Sequence, residues 1–195
     1  MSEKEDSATR IRQAAVEVLM EVGVRAATTR MVTERAGVGR GLLNHYFRWS
    51  ELRAEAWGEI FDQLMEWEAA QSADPRVLME DYLKTAFEER NRIYWFLWID
   101  ATDLAKTDAA LAVVTTRVHK RMLEQLASYL SRGTEQGFWQ VPDAQGTALR
   151  LSAMYDGLAN MLLTDFTDLS PAQAEQHLRH LFFLETRPIL SGSQG

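Results

Sequence analysis

The sequence predicts an all-α fold of about nine helices, and three observations carry that expectation. Apolar residues recur at three- and four-residue spacing in one stretch after another of the 195 residues. Between those stretches stand helix caps and stops: Thr28, Asp74 and Ser170 before them, Gly23, Gly37 and Gly133 after them. The 46% hydrophobic content is enough for a core without metal or disulfide, and the chain has no cysteine.

The N-terminal head is a three-helix unit. Residues 1–9 are acidic and polar rather than a basic-flanked apolar signal. Residues 7–22 read as the first helix, capped by Ser7 or Thr9, with Ile11, Ala14, Ala15, Val18, Leu19 and Val22 on one buried stripe and Gly23 ending it. Arg10 and Arg12 either reach a phosphate from this helix or lie on a solvated face. Residues 28–47, TTRMVTERAGVGRGLLNHYF, then space two short helices about a tight turn. Thr28 is placed to cap the first, whose apolar side holds Met31, Val32 and Ala36. Gly37 suits the left-handed conformation that closes a helix, Val38 tucks between the helices, and Gly39 restarts the chain. In the second helix, residues 40–46, Gly41 leaves room for close helix approach and Leu42 or Leu43 turns inward. Arg40, Asn44, His45 and Tyr46 are left to face a groove and its phosphates.

The pattern T-x-x-x-V-x-x-x-A-G-V-x-x-G-x-x-x-H-Y-F resembles the helix-turn-helix signature of TetR-family transcriptional regulators, with Thr28, Val32, Ala36, Gly37, Val38, Gly41, His45, Tyr46 and Phe47 in register. The resemblance is motif-specific over about residues 8–55 and covers the rest in architecture. It implies a DNA-binding domain over 1–53 and an effector-binding and dimerisation domain over 54–195. The partners implied are double-stranded DNA with a palindromic operator, a small-molecule effector and a second copy of the chain. Expected DNA contacts are Thr28, Thr29, Arg40, Gly41, Leu42, Asn44, His45, Tyr46 and Arg48. The sequence departs from the family after Phe47, where Arg48-Trp49-Ser50-Glu51 puts Ser50 in the place of a phosphate-binding lysine. Arg48 or Arg53 can supply that cation, and Ser50 can cap the next helix. Gly39 also replaces a common hydroxyl residue.

Charge is unevenly placed. The net charge is −7, yet residues 1–53 carry +2 and the remainder −9. A DNA-reading head on an acidic body that the duplex repels fits this distribution.

The body continues in helices. Residues 51–71, with Trp57, Ile60, Phe61, Leu64 and Trp67 on one side, should link head to body and transmit movement. Asp74 and Pro75 start a helix to about residue 90. Residues 91–106, NRIYWFLWIDATDLAK, are apolar on nearly every face, which makes that helix internal or a cavity wall. A long amphipathic helix follows over 108–134. The last two, 143–164 and 171–186, joined by a short 165–169 connection, form an antiparallel pair with more apolar surface than one chain needs. The interface expected from them contains Leu151, Tyr155, Leu158, Leu162, Leu178, Leu181 and Phe182. The segment MYDGLANML at 154–162 and the aromatic helix before it resemble the TetR-family branch containing the repressor of the choline-to-betaine pathway.

Within the body, the expected effector pocket is Phe87, Trp95, Trp98, Ile99, Asp100, Asp103, His119 and Tyr155, an aromatic cage with acids to hold a cation; core packing is the other reading of these rings. His177 and His180 stand i, i+3, but Glu175, Gln176 and Arg179 around them read as a solvated face rather than a metal site. Asp100 and Asp103 lack an accompanying histidine, nucleophile or glycine loop, so no catalytic residue, metal or cofactor is expected. Two function classes follow: a dimeric, cytoplasmic DNA-binding repressor released from its operator by a small effector, or a helical ligand-binding protein or enzyme whose helix-turn-helix is incidental.

Overall fold

A computed structural model describes residues 3–164 and 168–186, with side chains from residue 6 onward. Nine α-helices and a short 3-10 turn make up the described chain: α1 (Glu3–Ala26), α2 (Thr29–Ala36), α3 (Arg40–Tyr46), α4 (Trp49–Ala70), α5 (Pro75–Thr85), the turn Glu89–Asn91, α6 (Arg92–Leu104), α7 (Ala109–Glu135), α8 (Ala144–Thr164) and α9 (Pro171–Glu185). The all-α expectation holds. Packing groups them into two compact units, one joining residues up to Met65 with Phe96–His119, the other joining Glu66–Trp95 with residues from Lys120 onward. The divisions between these units fall inside α4, α6 and α7.

In the first unit, α1 begins at Glu3, four residues earlier than its capping signals indicate, so part of the acidic leader is helical. Gly23 interrupts it with φ +83°, a left-handed conformation that only glycine adopts without strain, and a side chain there would meet the Phe96 ring. Ile11, Leu19, Val32, Leu43, Leu52, Trp57, Leu97 and Leu111 have no exposed surface and form the core of this unit. Burying each such side chain contributes about 1.5–3 kcal/mol. Trp57 satisfies its indole N–H by donating to the Leu97 carbonyl at 3.0 Å, which ties α4 to α6. On the same helix, Gly58 lets the backbone lie against α7: a Cβ there would stand 2.7 Å from Val114 Cγ1. The cap of α4 is not Ser50. The helix starts at Trp49 and the Arg48 carbonyl accepts from Leu52 N at 2.9 Å, which puts Ser50 inside the first turn.

In the second unit, Asp74 caps α5 by accepting from Arg76 N at 2.9 Å, as its position before Pro75 predicts. That helix stops at Thr85 instead of running to residue 90. Glu88 is extended, and Asn91 Nδ2 donates to the Thr85 carbonyl at 2.7 Å, satisfying an acceptor that the helix end leaves open. Ser170 and Gln173 form a reciprocal capping box at the start of α9. The α8–α9 pair is further joined by Thr147 and Arg150, both bonded to Glu185, at 2.9 and 2.6 Å. Residues 165–167 of the connection expected between them lie outside the described residues. Leu151 and Leu178 are wholly buried inside the chain, and Leu158 and Leu162 nearly so, among Met79, Leu130, Ala148 and Ala174. The apolar side chains this pair leaves outside are instead Leu149, Met161, Phe183 and Leu184. Trp139 lies directly on Gly133 and donates its indole N–H to the Leu130 carbonyl at 2.8 Å.

Candidate DNA interface and effector site

The two short helices are fixed from both ends. Thr28 Oγ1 accepts from Met31 N at 3.3 Å, and Gly37, with φ +64°, donates its N–H to the Glu34 carbonyl at 3.3 Å while Val38 N reaches the Thr33 carbonyl at 3.0 Å. Leu43, with no exposed surface, is the residue that anchors α3, and Leu42 is half-buried. Arg40, Gly41, Asn44 and His45 are exposed, with Tyr46 half-buried beside them, its ring 5.1 Å from that of His45. Gly41 does not serve helix packing: a Cβ there would meet nothing of the chain within 4 Å, because the position faces outward. Thr29 opens α2, half-buried, and Gly39 caps α3 without any side-chain bond.

The cations of this unit are not equivalent. Arg35 bonds Glu17 at 3.3 Å and also pairs with Glu21, and Arg30 holds Glu34 at 2.7 Å. Arg12 lies 5.0 Å from the centre of the Phe47 ring, and Arg10 is 3.6 Å from Asp6. Arg53, a candidate for the missing lysine, is turned inward to Asp108 at 2.6 Å, its side chain 16% exposed. Burial alone would raise the Asp108 pKa, but the Leu111 and Ala110 N–H groups and Arg53 together hold it below the usual carboxylate range. Arg48, the other candidate, is 85% exposed, with Glu51 at 3.9 Å.

The eight residues expected to line a pocket separate into two groups. Trp98, Ile99, Asp100, Asp103 and His119 belong to the first unit. Trp98 packs against Trp57, Phe61 and His119, ring centres 5.5, 5.6 and 5.7 Å apart. Asp100 accepts from the main-chain N–H of Arg25 at 2.7 Å, and Asp103 from its guanidinium at 2.6 Å. Lys106, then Arg25, hold the Asp103 carboxyl below its ordinary range. Phe87, Trp95 and Tyr155 come together in the second unit: Trp95 Nε1 donates to Tyr155 Oη at 2.8 Å, and the Phe87 ring stacks on Tyr155 at 5.5 Å. His177 and His180 are both exposed, and Arg179 beside them bonds Glu80 and Glu175.

Two family models match this geometry in sequence: bacterial regulatory proteins of the tetR family over residues 11–50, and the C-terminal domain of BetI-type transcriptional repressors over residues 75–182. The chain belongs to the TetR family. Solved TetR-like structures share its fold. A TetR transcription regulator from Haloarcula marismortui is 15% identical, with 94% of this chain and 100% of that one covered and a TM-score of 0.78. A chain from Rhodococcus sp., described as a TetR-family transcriptional regulator, is 24% identical over 96% and 100%, with a TM-score of 0.74. One from Saccharomonospora viridis, described as a transcriptional regulator in complex with choline, is 20% identical over 91% and 96%, also at 0.74. No curated protein matches. No helix among the described residues of this TetR-family regulator is long and apolar enough to cross a membrane.

Sequence reasoning passed over three titratable side chains in the regulator's second unit. Tyr82 on α5 faces Tyr155 with ring centres 6.1 Å apart. Burial raises the Tyr82 pKa far above the ordinary phenol value, with Tyr155, Asp156 and Glu68 adding to it. Tyr129 on α7 is raised by burial and by Glu68. Glu68 on α4 is exposed, and desolvation of its carboxyl raises its pKa to about 7.

Proposed function

We propose that this TetR-family regulator is a homodimeric repressor that reads an operator with α3 and leaves it when a small effector binds the second unit. The observation that carries the DNA half is the division of α3: Leu43 is locked inside while Arg40, Asn44 and His45 stand outside, with no ion pair among the described residues. Arg40 is the side chain suited to guanine, Thr28, Thr29, Tyr46 and Arg48 to phosphates, and Gly41 and Leu42 to close approach of the duplex. Two copies would place α3 in successive major grooves about 34 Å apart, on an imperfect palindrome. The second copy would cover the exposed Leu149, Met161, Phe183 and Leu184 of α8 and α9.

For the effector, the reading rests on the rings of Tyr82, Phe87, Trp95 and Tyr155 beside the carboxyls of Glu68 and Asp156, a combination that favours an organic cation. The choline bound by the Saccharomonospora regulator is of that class. The regulator does no chemistry on its ligand and works in the cytoplasm, where the operator is. Release requires the ligand to prefer the non-binding state, and a preference of about 1–3 kcal/mol weakens operator binding roughly five- to 150-fold. Selection of genomic fragments by the purified protein, followed by gel shift of the selected operator with and without choline, tests both halves. A protein that retains no fragment overturns the first half. Retention that neither choline nor another organic cation relieves overturns the second.

A further inference from the structure

Three residues of the second unit fix the ring of Tyr155 on α8. Phe87 stacks on it with ring centres 5.5 Å apart and planes 28° from parallel, Tyr82 lies at 6.1 Å and 34°, and Trp95 Nε1 donates to its oxygen at 2.8 Å. Phe87 and Trp95 belong to the buried core, whereas Tyr155 is packed against that core and keeps accessible surface. The hydroxyl is therefore in place before any ligand arrives. The direction of the Trp95 bond decides what the hydroxyl can still do. An indole N–H donates and cannot accept, so it takes up one lone pair of the Tyr155 oxygen and makes no use of the phenolic proton. No acceptor for that proton stands among the described residues. A hydroxyl that already accepts is a stronger donor, because the two bonds polarise each other. Burial raises the Tyr155 pKa above the ordinary phenol value, which keeps the proton on the oxygen. A part-buried donor without a partner costs free energy that an acceptor on a ligand recovers.

We propose, resting on the effector reading above, that Tyr155 sets the specificity of the site by donating its O–H to an oxygen of the bound ligand. The effector class narrows accordingly to organic cations that carry an acceptor oxygen, such as a hydroxyl or an ether, and excludes tetraalkylammonium ions of the same size. The ring faces attract the charge of either kind and contribute no preference between them. Discrimination therefore comes from one hydroxyl, held in position by the Trp95 indole.

Calorimetric titration of the full chain with choline and with propyltrimethylammonium, in which a methyl group replaces the hydroxyl, tests the assignment. Wild type should bind choline roughly tenfold more tightly, the effect of one part-buried hydrogen bond. Tyr155→Phe keeps the ring and removes the hydroxyl. Choline affinity should then fall to that of propyltrimethylammonium, whose own affinity should not change, so that the two differences couple. A second pair gives the direction of the bond. The methyl ether of choline offers an oxygen but no proton, and it should bind wild type more tightly than butyltrimethylammonium, its equal in size. Equal affinity of wild type for choline and propyltrimethylammonium overturns the inference without any variant and leaves the cation reading standing. A Tyr155→Phe protein that loses affinity for both alike overturns it as well, because the hydroxyl then serves the fold and not the ligand. An ether that binds no better than its butyl counterpart overturns donation by Tyr155. Absence of binding by any of these cations removes the cation reading and the inference with it.

Discussion

The main-chain N–H of Arg25 and its Nε both donate to Asp100, at 2.7 Å to one carboxylate oxygen and 3.2 Å to the other. Gly23, two residues earlier, has left the helical conformation, so a side chain from α6 takes over as acceptor where the helical ladder of α1 is broken. Asp100 is 9% exposed and Asp103 is on the solvated side. Asp100→Ala leaves a part-buried N–H without its partner and is expected to destabilise the protein by about 1–3 kcal/mol. Asp103→Ala removes only an exposed pair and should cost about 0–1 kcal/mol. Urea unfolding of the two variants measures the contrast, and equal losses would show that the main-chain bond is not what matters.

Arg40 and Arg48 should separate by kind of contact. Arg40→Ala is expected to cost about 1–3 kcal/mol of operator affinity and relax preference at one base pair. Arg48→Ala should weaken all sequences alike and lower the salt-dependence slope by about one. Fluorescence anisotropy over a salt series, with operator and scrambled duplexes, distinguishes them. Arg53→Ala should instead show up as lost stability, since its guanidinium is committed to Asp108.

The α8–α9 pair gives a test of assembly. Phe183 is 63% exposed and Leu178 is wholly buried, on the same helix. Phe183→Asp should give a folded 22.2 kDa species by light scattering, whereas Leu178→Asp should fail to fold because it places a charge in the chain's own core. A Phe183→Asp protein that remains dimeric would move the interface elsewhere.

Stability without ligand should fall as pH rises through neutrality. A carboxyl whose pKa is raised from about 4.5 to about 7 by folding binds its proton more tightly in the folded state. That contribution is complete below the unfolded value and is lost as pH climbs through about 7. Glu68→Gln, which cannot ionise, should melt higher than wild type at about pH 8 and lose that advantage below about pH 4.5. Melting curves that run parallel across this range would show that the carboxyl is solvated.

Trp139 and Gly133 supply a packing test. The indole occupies the space of a side chain at 133, so Gly133→Ala must move a buried ring that is also bonded to the Leu130 carbonyl. A loss of about 1–3 kcal/mol is expected, as for other overpacked sites, with a shift in tryptophan emission.

Local signals carried the sequence reading furthest. Thr28, Gly37, Asp74 and Ser170 each act within four residues of themselves, and each does in the fold what its residue type dictates. The end of α5 was missed because Asn91 closes it from six residues away, through a side chain no periodicity records. The aromatic run of α6 was legible as buried, but one helix turns Trp95 toward Tyr155 and Trp98 toward Trp57, and only packing assigns them. Arg53 and Arg48 look alike in sequence; Asp108, 55 residues later, distinguishes them.

Asp108 is bonded to Arg53 and also caps α7 through the N–H groups of Ala110 and Leu111. Leu97, Ala101, Leu111 and Val118, all without exposed surface, complete the core of the same unit. The compact unit that contains α3 is thus drawn from two separated stretches of the sequence. A hybrid regulator made by grafting residues 1–53 onto another body would strand Arg53 without its acid and open that core to water. A graft that carries residues 96–119 along keeps both, and the portable unit for engineering new operator specificities is this discontinuous one.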